Sequence, residues 1–188
     1  YSSAASDVYK RQIYNIVKGI GPNLEIGLDV NPPTYAWMIS QLIEDLIPYG
    51  DWLKPMAYFM SEGWYIVSPE VRSWFSHFPE IPQGQLLQIY YALYAVEGPE
   101  DLKELEEKGV SASFVSDQTM RAIEACDHKI PEYTGIFIGA PASPNDCSLG
   151  TSKVFESGAD GIITYSYGWA SFENLEAVKT TLQKLGKI

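Results

Sequence analysis

The chain has few of the residues that build metal and redox centres. Only two histidines, His77 and His128, and two cysteines, Cys126 and Cys147, occur among its 188 residues. None of the four stands in the spacing of a zinc site or of a Cys-x-x-Cys redox motif. We therefore predict no metal and no cofactor. The cysteines are interpreted as small buried thiols, with a disulfide as the alternative.

Basic residues and long apolar runs are also scarce. Lys and Arg total 13 against 24 Asp and Glu, which gives a formal net charge of -11. A surface with this balance repels phosphate backbones, so we predict that nucleic acid is not a partner. No apolar run approaches the roughly 20 residues that a membrane-spanning helix needs, and we predict no membrane span.

The first twelve residues, YSSAASDVYKRQ, lack the apolar periodicity that begins at Ile13. They resemble the translated library-linker sequence found at the ends of metagenomic reading frames. We therefore predict that residues 1–12 are a non-native tail and that residues 13–188 form the domain. The alternative is a genuine polar start to a helix.

Strand-like and helix-like segments alternate along the rest of the chain. Alternating apolar residues or short apolar runs predict strands at 24–30, 52–58, 134–141 and 159–167. Helical periodicity and capping residues predict helices at 34–47, 99–109, 116–126 and 148–157 and after Ser171. The segment 85–96 is apolar nearly all round and is predicted to be a buried helix, with a strand as the alternative. Such alternation indicates an α/β fold with parallel strands. No glycine-rich phosphate turn follows the first strand, which argues against a doubly wound dinucleotide fold.

Two stretches resemble a known group of proteins. DVNPPTYAWMISQLIEDL followed by DWLKPMAYF, and the ending SKVFESGADGIITYSYGWASFENLEAVKTTLQKLG, are similar to uncharacterised glycoside-hydrolase-like (β/α)8 barrel proteins. In that group a Gly-Ala-Asp-Gly turn feeds the last barrel strand, and here the turn is 158–161. The resemblance implies a partial TIM (β/α)8 barrel, the last four or so βα units, with the first strands absent. It also implies a carbohydrate partner, and it favours an extracytoplasmic location.

Candidate site residues follow from the barrel expectation, because function collects where barrel strands end. Period-2 alternation places Asp29 and Asn31 on the polar face of the first strand, and Lys54 and Tyr58 on one face of the second. Asp29 is the predicted catalytic carboxylate, kept ionised by Lys54. The alternative is a structural ion pair between the two. Glu62 is the predicted second acid, against the alternative of a solvated loop glutamate.

Aromatic residues end the fourth predicted strand. We predict that Tyr165 and Trp169 stack on a sugar ring, as aromatic platforms do in many glycoside hydrolases. Asn31, Lys54 and Tyr58 are the other predicted substrate-binding residues. The alternative for Trp169 is a tryptophan that only closes the barrel mouth.

These features predict a glycoside-hydrolase-like protein that acts on a carbohydrate, present here as an incomplete fragment. The alternative is a non-catalytic carbohydrate-binding or scaffold barrel. The third predicted strand ends in Gly139-Ala140-Pro141 without an acid, and the Asn-Glu pair of the large retaining barrel clan is absent. No complete acid pair is therefore carried over from the resemblance, and whether the protein is an enzyme stays open.

Overall fold

The structure, a computed structural model, describes residues 2–60 and 67–188. Within these ranges it is a mixed α/β fold with nine α-helices and four short strands. The strands are β1 (Gly27–Val30), β2 (Trp52–Pro55), β3 (Tyr133–Phe137) and β4 (Gly161–Tyr165). The helices are α1 (Ser2–Ile20), α2 (Pro33–Ala36), α3 (Ile43–Leu46), α4 (Val67–His77), α5 (Gln83–Tyr94), α6 (Leu102–Lys108), α7 (Ser113–Cys126), α8 (Pro144–Glu156) and α9 (Phe172–Lys184).

The strands form two separate two-stranded parallel sheets, β1 with β2 and β3 with β4. Only isolated bridges, Leu53 to Glu132 and Met56 to Gly135, connect the two pairs. The prediction of a partial TIM barrel is therefore wrong for the described part of the chain. It required one continuous sheet of about four strands, and the described strands form two separate pairs instead.

Pro55 interrupts the ladder between β2 and β3. It ends β2 and lies between the two bridges, which are at Leu53 and at Met56. Proline has no N–H to donate, so one rung of this ladder is missing. What remains are single bonds, such as Leu53 N–H to the Pro131 carbonyl at 2.9 Å and Ala57 N–H to the Gly135 carbonyl at 3.0 Å.

The long helix predicted over 34–47 is broken into short pieces. After α2 come a 3-10 turn at Trp37–Ile39, then α3, then a second 3-10 turn at Ile47–Tyr49. Ser40 ends the first piece with a left-handed φ of 57°, a conformation that stops a helix. The apolar residues that suggested one long helix are divided between two short helical segments.

The helices near the end of the chain follow their capping residues. Ser171 accepts the Asn174 N–H and begins α9, as predicted. α8 begins at Pro144, four residues before its predicted start at 148, because Ser143 and Asp146 form a capping box. The Asp146 carboxylate accepts the Ser143 N–H at 2.8 Å, so this acid is committed to the helix end.

Helix α1 runs without a break from the segment interpreted as a tail into the domain. Near its end, Lys18 Nζ lies 2.7 Å from Asp51 Oδ2 and ties the helix to the turn before β2. That residues 1–12 are non-native stays a prediction.

No helix in the described ranges is long and apolar enough to cross a membrane, which is what the apolar runs indicated.

The buried residues form two clusters. The larger surrounds β3 and contains Tyr90, Phe114 and Ile136, while the smaller packs Val30 and Leu53 against α3 and α7.

Both cysteines are buried and free, so the disulfide alternative is excluded. Burial raises the pKa of the Cys147 thiol to about 11 and also raises that of Cys126. Neither thiol is therefore a ready nucleophile near neutral pH.

Candidate functional site

Asp29 and Lys54 meet across the β1–β2 pair. They are register partners in the parallel ladder, and Lys54 Nζ lies 3.0 Å from Asp29 Oδ2. The Asp29 side chain is 58% exposed, whereas the Lys54 side chain is 10% exposed. Lys54 is therefore the buried member of the ion pair, and Asp29 is the solvent-exposed member. The contact foreseen as the alternative, an ion pair between neighbouring strands, is present.

Two tyrosine rings complete the surroundings of the Lys54 ammonium. Its Nζ lies 5.9 Å from the ring centroid of Tyr58 and 5.9 Å from that of Tyr165. The two rings stack at a centroid separation of 4.9 Å and an interplanar angle of 16°. A cation at this distance is attracted by the face of an aromatic ring. Three residues predicted separately as binding residues thus form one cluster.

Glycine at position 135 makes room for this cluster. A Cβ on Gly135 would lie 2.8 Å from Lys54 Cε and 3.3 Å from Tyr58 Cε1. Since Gly135 sits in β3, it lets the lysine stem cross the face of the neighbouring strand pair. Because Gly135 has no side chain, Lys54 and Tyr58 can pack closely against β3 at this point.

The loop after β4 presents the other predicted platform. Tyr165 is 45% exposed, Tyr167 67% and Trp169 81%. The backbone N–H of Trp169 donates to the Ser166 carbonyl at 2.9 Å, which closes a 3-10 turn at Tyr167–Trp169. The indole is thus open to solvent on a hydrogen-bonded turn. This exposure favours the binding interpretation of Trp169 over that of a buried plug.

Buried Asn174 holds the neighbouring loop. Its Nδ2 donates to the Ile138 carbonyl at 2.9 Å and to the Ala142 carbonyl at 2.8 Å, which fixes the segment between β3 and α8. Asn174 lies in α9, which directly follows the Trp169 turn. One amide therefore couples the loops after β3 and β4.

The remaining candidates have different positions. Asn31 is half-buried after β1, and its N–H donates to Gln41 Oε1 at 2.8 Å. Glu62, the predicted second acid, lies outside the described residues. Within the described ranges, no group of three or more His, Cys, Asp or Glu side chains is placed to hold a metal ion.

Sequence reasoning missed Glu132, a buried carboxyl just before β3. Its side chain is 1% exposed, Oε1 accepts the Thr134 hydroxyl at 2.6 Å, and Oε2 has no hydrogen-bond partner among the described residues. Burial, with a smaller contribution from Asp160, raises the pKa of Glu132 to about 8. The alternation of Glu132, Thr134 and Ile136 was the signal, since it placed a carboxyl on the buried face of the strand.

Glu132 bridges to Leu53, the residue before Lys54, but its side chain lies on the buried face of the strand with Thr134. A carboxyl that is 1% exposed offers no open oxygen to a ligand. We therefore treat Glu132 as a stability determinant. The candidate site, called the strand-end cluster below, is the contacting group of Asp29, Lys54, Tyr58 and Tyr165 together with Trp169 on the turn that follows β4.

The strand-end cluster combines three chemical properties. An exposed carboxylate accepts hydrogen bonds, a buried ammonium beside it fixes the charge, and exposed aromatic faces offer apolar surface. Glycoside hydrolysis needs two carboxyl groups about 5 to 9.5 Å apart, and among the described residues the recorded contacts place Asp29 alone in this cluster as a carboxylate. The described part of the cluster therefore suits binding better than hydrolysis.

Comparison with known proteins identifies no relative. The chain matches no protein-family model, and it matches neither a curated protein nor a solved structure. The resemblance to glycoside-hydrolase-like proteins is thus left untested, and the function has to be argued from the strand-end cluster itself.

Proposed function

We propose that the protein binds a neutral carbohydrate at the strand-end cluster, with Tyr165 and Trp169 stacking on sugar rings. The observation that carries the proposal is the 81% exposure of Trp169 on a hydrogen-bonded turn that follows the strand of Tyr165. Exposure of an indole ring to water is unfavourable, and contact with the apolar face of a ligand removes the ring from water. Sugar rings offer such a face together with hydroxyl groups.

The polar half of the cluster supports a neutral ligand. The exposed Asp29 oxygen accepts hydrogen bonds from hydroxyl groups, while its partner Lys54 is already neutralised by the ion pair. The net charge of -11 disfavours phosphate-bearing and other strongly anionic ligands. The combination of aromatic faces with a carboxylate acceptor is therefore best satisfied by hydroxyl groups on an uncharged ring.

Hydrolysis is the second candidate function, and one observation favours it. Asp29 lies at the end of β1 as an open carboxylate paired with a cation, which is the state that a nucleophile or a base needs. The reaction would require a second carboxyl group, for which Glu62 is the candidate. Binding needs no such second group and is the proposal that the described contacts support better.

Titration calorimetry with soluble gluco-, manno- and xylo-oligosaccharides tests the proposal. We expect at least one series to bind, and we expect Trp169→Ala to weaken that binding about tenfold or more, because a stacked aromatic anchor is lost. Tyr9→Ala removes another exposed aromatic, on α1, and is the matched control that should leave affinity unchanged. Equal losses in both variants, or no binding by the parent protein, would contradict the proposal.

Asp29→Asn separates binding from hydrolysis. Asparagine keeps a hydrogen-bonding group of the same size but has no carboxylate. If the parent protein releases reducing ends from the bound glycan and Asp29→Asn does not, the protein is a hydrolase. If Asp29→Asn binds and the parent protein shows no turnover, the binding function stands alone.

A further inference from the structure

Strand β4 has an unpaired edge. On its other side it forms a parallel ladder with β3, in which the Gly161 N–H donates to the Glu132 carbonyl at 3.2 Å. Successive residues of a strand direct their backbone groups to opposite sides, so Ile162 and Thr164 direct theirs away from β3. Among the described residues, none bonds to the outward N–H and C=O groups of these two residues.

The edge of β4 lacks the features that keep sheet edges from pairing. Charged side chains and prolines at an edge hinder the addition of another strand. The sequence of β4, GIITY, contains neither, and all five of its residues are half-buried or exposed. The unpaired edge of β1 differs, because that strand carries the charged Asp29 and Gln41 accepts the N–H of the following Asn31. Of these two edges, that of β4 is therefore the one open to a further strand.

We propose that β4 pairs with β4 of a second copy of this chain, antiparallel about a two-fold axis at Ile163. In this register Ile162 lies opposite Thr164 of the second copy, and the two residues exchange both of their outward hydrogen bonds. The two-fold symmetry repeats the same exchange on the other side of the axis. About four hydrogen bonds then satisfy all the outward groups of Ile162 and Thr164 in both copies.

The side chains of β4 are complementary to themselves in this register. Ile163 meets Ile163 of the second copy at the axis, and Ile162 lies opposite Thr164. Pairs of β-branched side chains across neighbouring strands stabilise a sheet. Tyr165 lies opposite Gly161, where the ring covers the space that a glycine leaves. This self-complementarity is what favours a second copy of the chain as the partner.

Charge supports the choice of β4 and limits the strength of the dimer. A pair of β1 strands centred on Asp29 would set two carboxylates opposite each other, whereas the β4 pair sets two isoleucines there. The net charge of -11 on each copy opposes association, and β4 is only five residues long. We therefore expect a weak and reversible dimer. The inference does not depend on carbohydrate binding, because Trp169 follows the paired strand.

Sedimentation velocity of the intact protein, over a range of about 5 to 500 μM, tests for the dimer. We expect a monomer of 21.0 kDa at the lowest concentration and a species of twice that mass at the highest. A protein that remains a monomer over the whole range would overturn the proposal.

Two substitutions test the assigned edge. Ile163→Lys sets two ammonium groups opposite each other at the axis, and we expect dimerisation to weaken about tenfold or more. Thr164→Pro removes an outward N–H without removing a bond to β3, and it should also weaken dimerisation. Ile89→Lys is the matched control, because Ile89 is 45% exposed on α5 and its replacement should leave dimerisation unchanged. Unchanged dimerisation in both edge variants, with circular dichroism showing that they are folded, contradicts the proposal.

Amide hydrogen exchange locates the contact without any substitution. Raising the concentration of the parent protein until the dimer predominates should slow exchange at the Ile162 and Thr164 amides about fivefold or more. The Asp29 amide is the internal control, since it lies in β1 and should keep its rate. If a dimer forms and the Ile162 and Thr164 amides exchange as fast as in the monomer, another surface forms the interface and the proposal fails.

Discussion

Replacing Glu132 with glutamine is expected to flatten the pH dependence of the free energy of unfolding between pH 4.5 and 8. The Glu132 carboxyl is buried before β3, and its pKa is raised from 4.5 to about 8, mainly by burial. In the folded protein the group stays protonated up to about pH 8, whereas in the unfolded chain it ionises near pH 4.5. The folded state therefore holds a proton that the unfolded chain releases across this window.

The sign of the effect follows from proton linkage. Because the folded state binds the extra proton, stability is fully present below pH 4.5, falls as the pH rises, and levels off above about pH 8. The expected loss at pH 7, 2.5 pH units above 4.5, is about 3 to 4 kcal/mol, at about 1.4 kcal/mol for each pH unit of the window. Glutamine stays neutral at every pH, so this loss should disappear in Glu132→Gln.

Urea unfolding at several pH values measures the slope. Glu107→Gln is the matched control, because Glu107 is 60% exposed on α6 and its replacement should leave the pH profile unchanged. A Glu132→Gln profile parallel to that of the parent protein from pH 4.5 to 8 would show that Glu132 is ionised in the folded state. The account of its burial would then be wrong.

Gly109→Ala is expected to destabilise the protein by about 3 to 5 kcal/mol. Gly109 follows α6 with φ 73° and ψ -153°, a region that is open essentially to glycine alone. A Cβ there would overlap the Phe59 carbonyl oxygen, which accepts the Val110 N–H at 2.8 Å. Backbone strain and collision with a fixed backbone atom add together at this position.

Gly158→Ala separates strain from collision. Gly158 also has a positive φ, of 93°, but the nearest atom to its added Cβ is Ile123 Cδ1 at an ordinary 3.9 Å. We expect Gly158→Ala to cost about 1 to 2 kcal/mol, from backbone conformation alone. Thermal and urea unfolding of both variants measure the difference. Equal losses would mean that the Gly109 backbone moves away from Phe59 at no cost.

Local patterns in the sequence predicted the elements better than their assembly. The strands around Asp29, Lys54 and Tyr165 lie within the predicted ranges, since alternation depends on a period that each strand carries by itself. The pairing of strands depends on contacts far apart in sequence. Pro55, which interrupts the ladder between β2 and β3, has its effect only in that pairing and not within its own strand.

The strand-end cluster was predictable in part for the same reason. The meeting of Asp29 with Lys54 followed from strand parity, and the stacking of Tyr58 on Tyr165 did not, because it depends on how the β1–β2 pair lies against β4. The clearance at Gly135 could not be read from sequence either, since it exists only once two strand pairs are packed.

Helix 34–47 was mispredicted because Ser40 adopts a left-handed conformation that serine rarely takes.

The central claim, carbohydrate binding at the strand-end cluster, is tested most directly by NMR of the tryptophan indole N–H signals during a glycan titration. The account predicts that the signal of exposed Trp169 shifts in proportion to occupancy, while those of half-buried Trp52 and Trp74 stay in place. Assignment uses the single Trp169→Ala variant, in which the responding signal is missing. A titration that saturates the protein and leaves the Trp169 signal unmoved would contradict the claim.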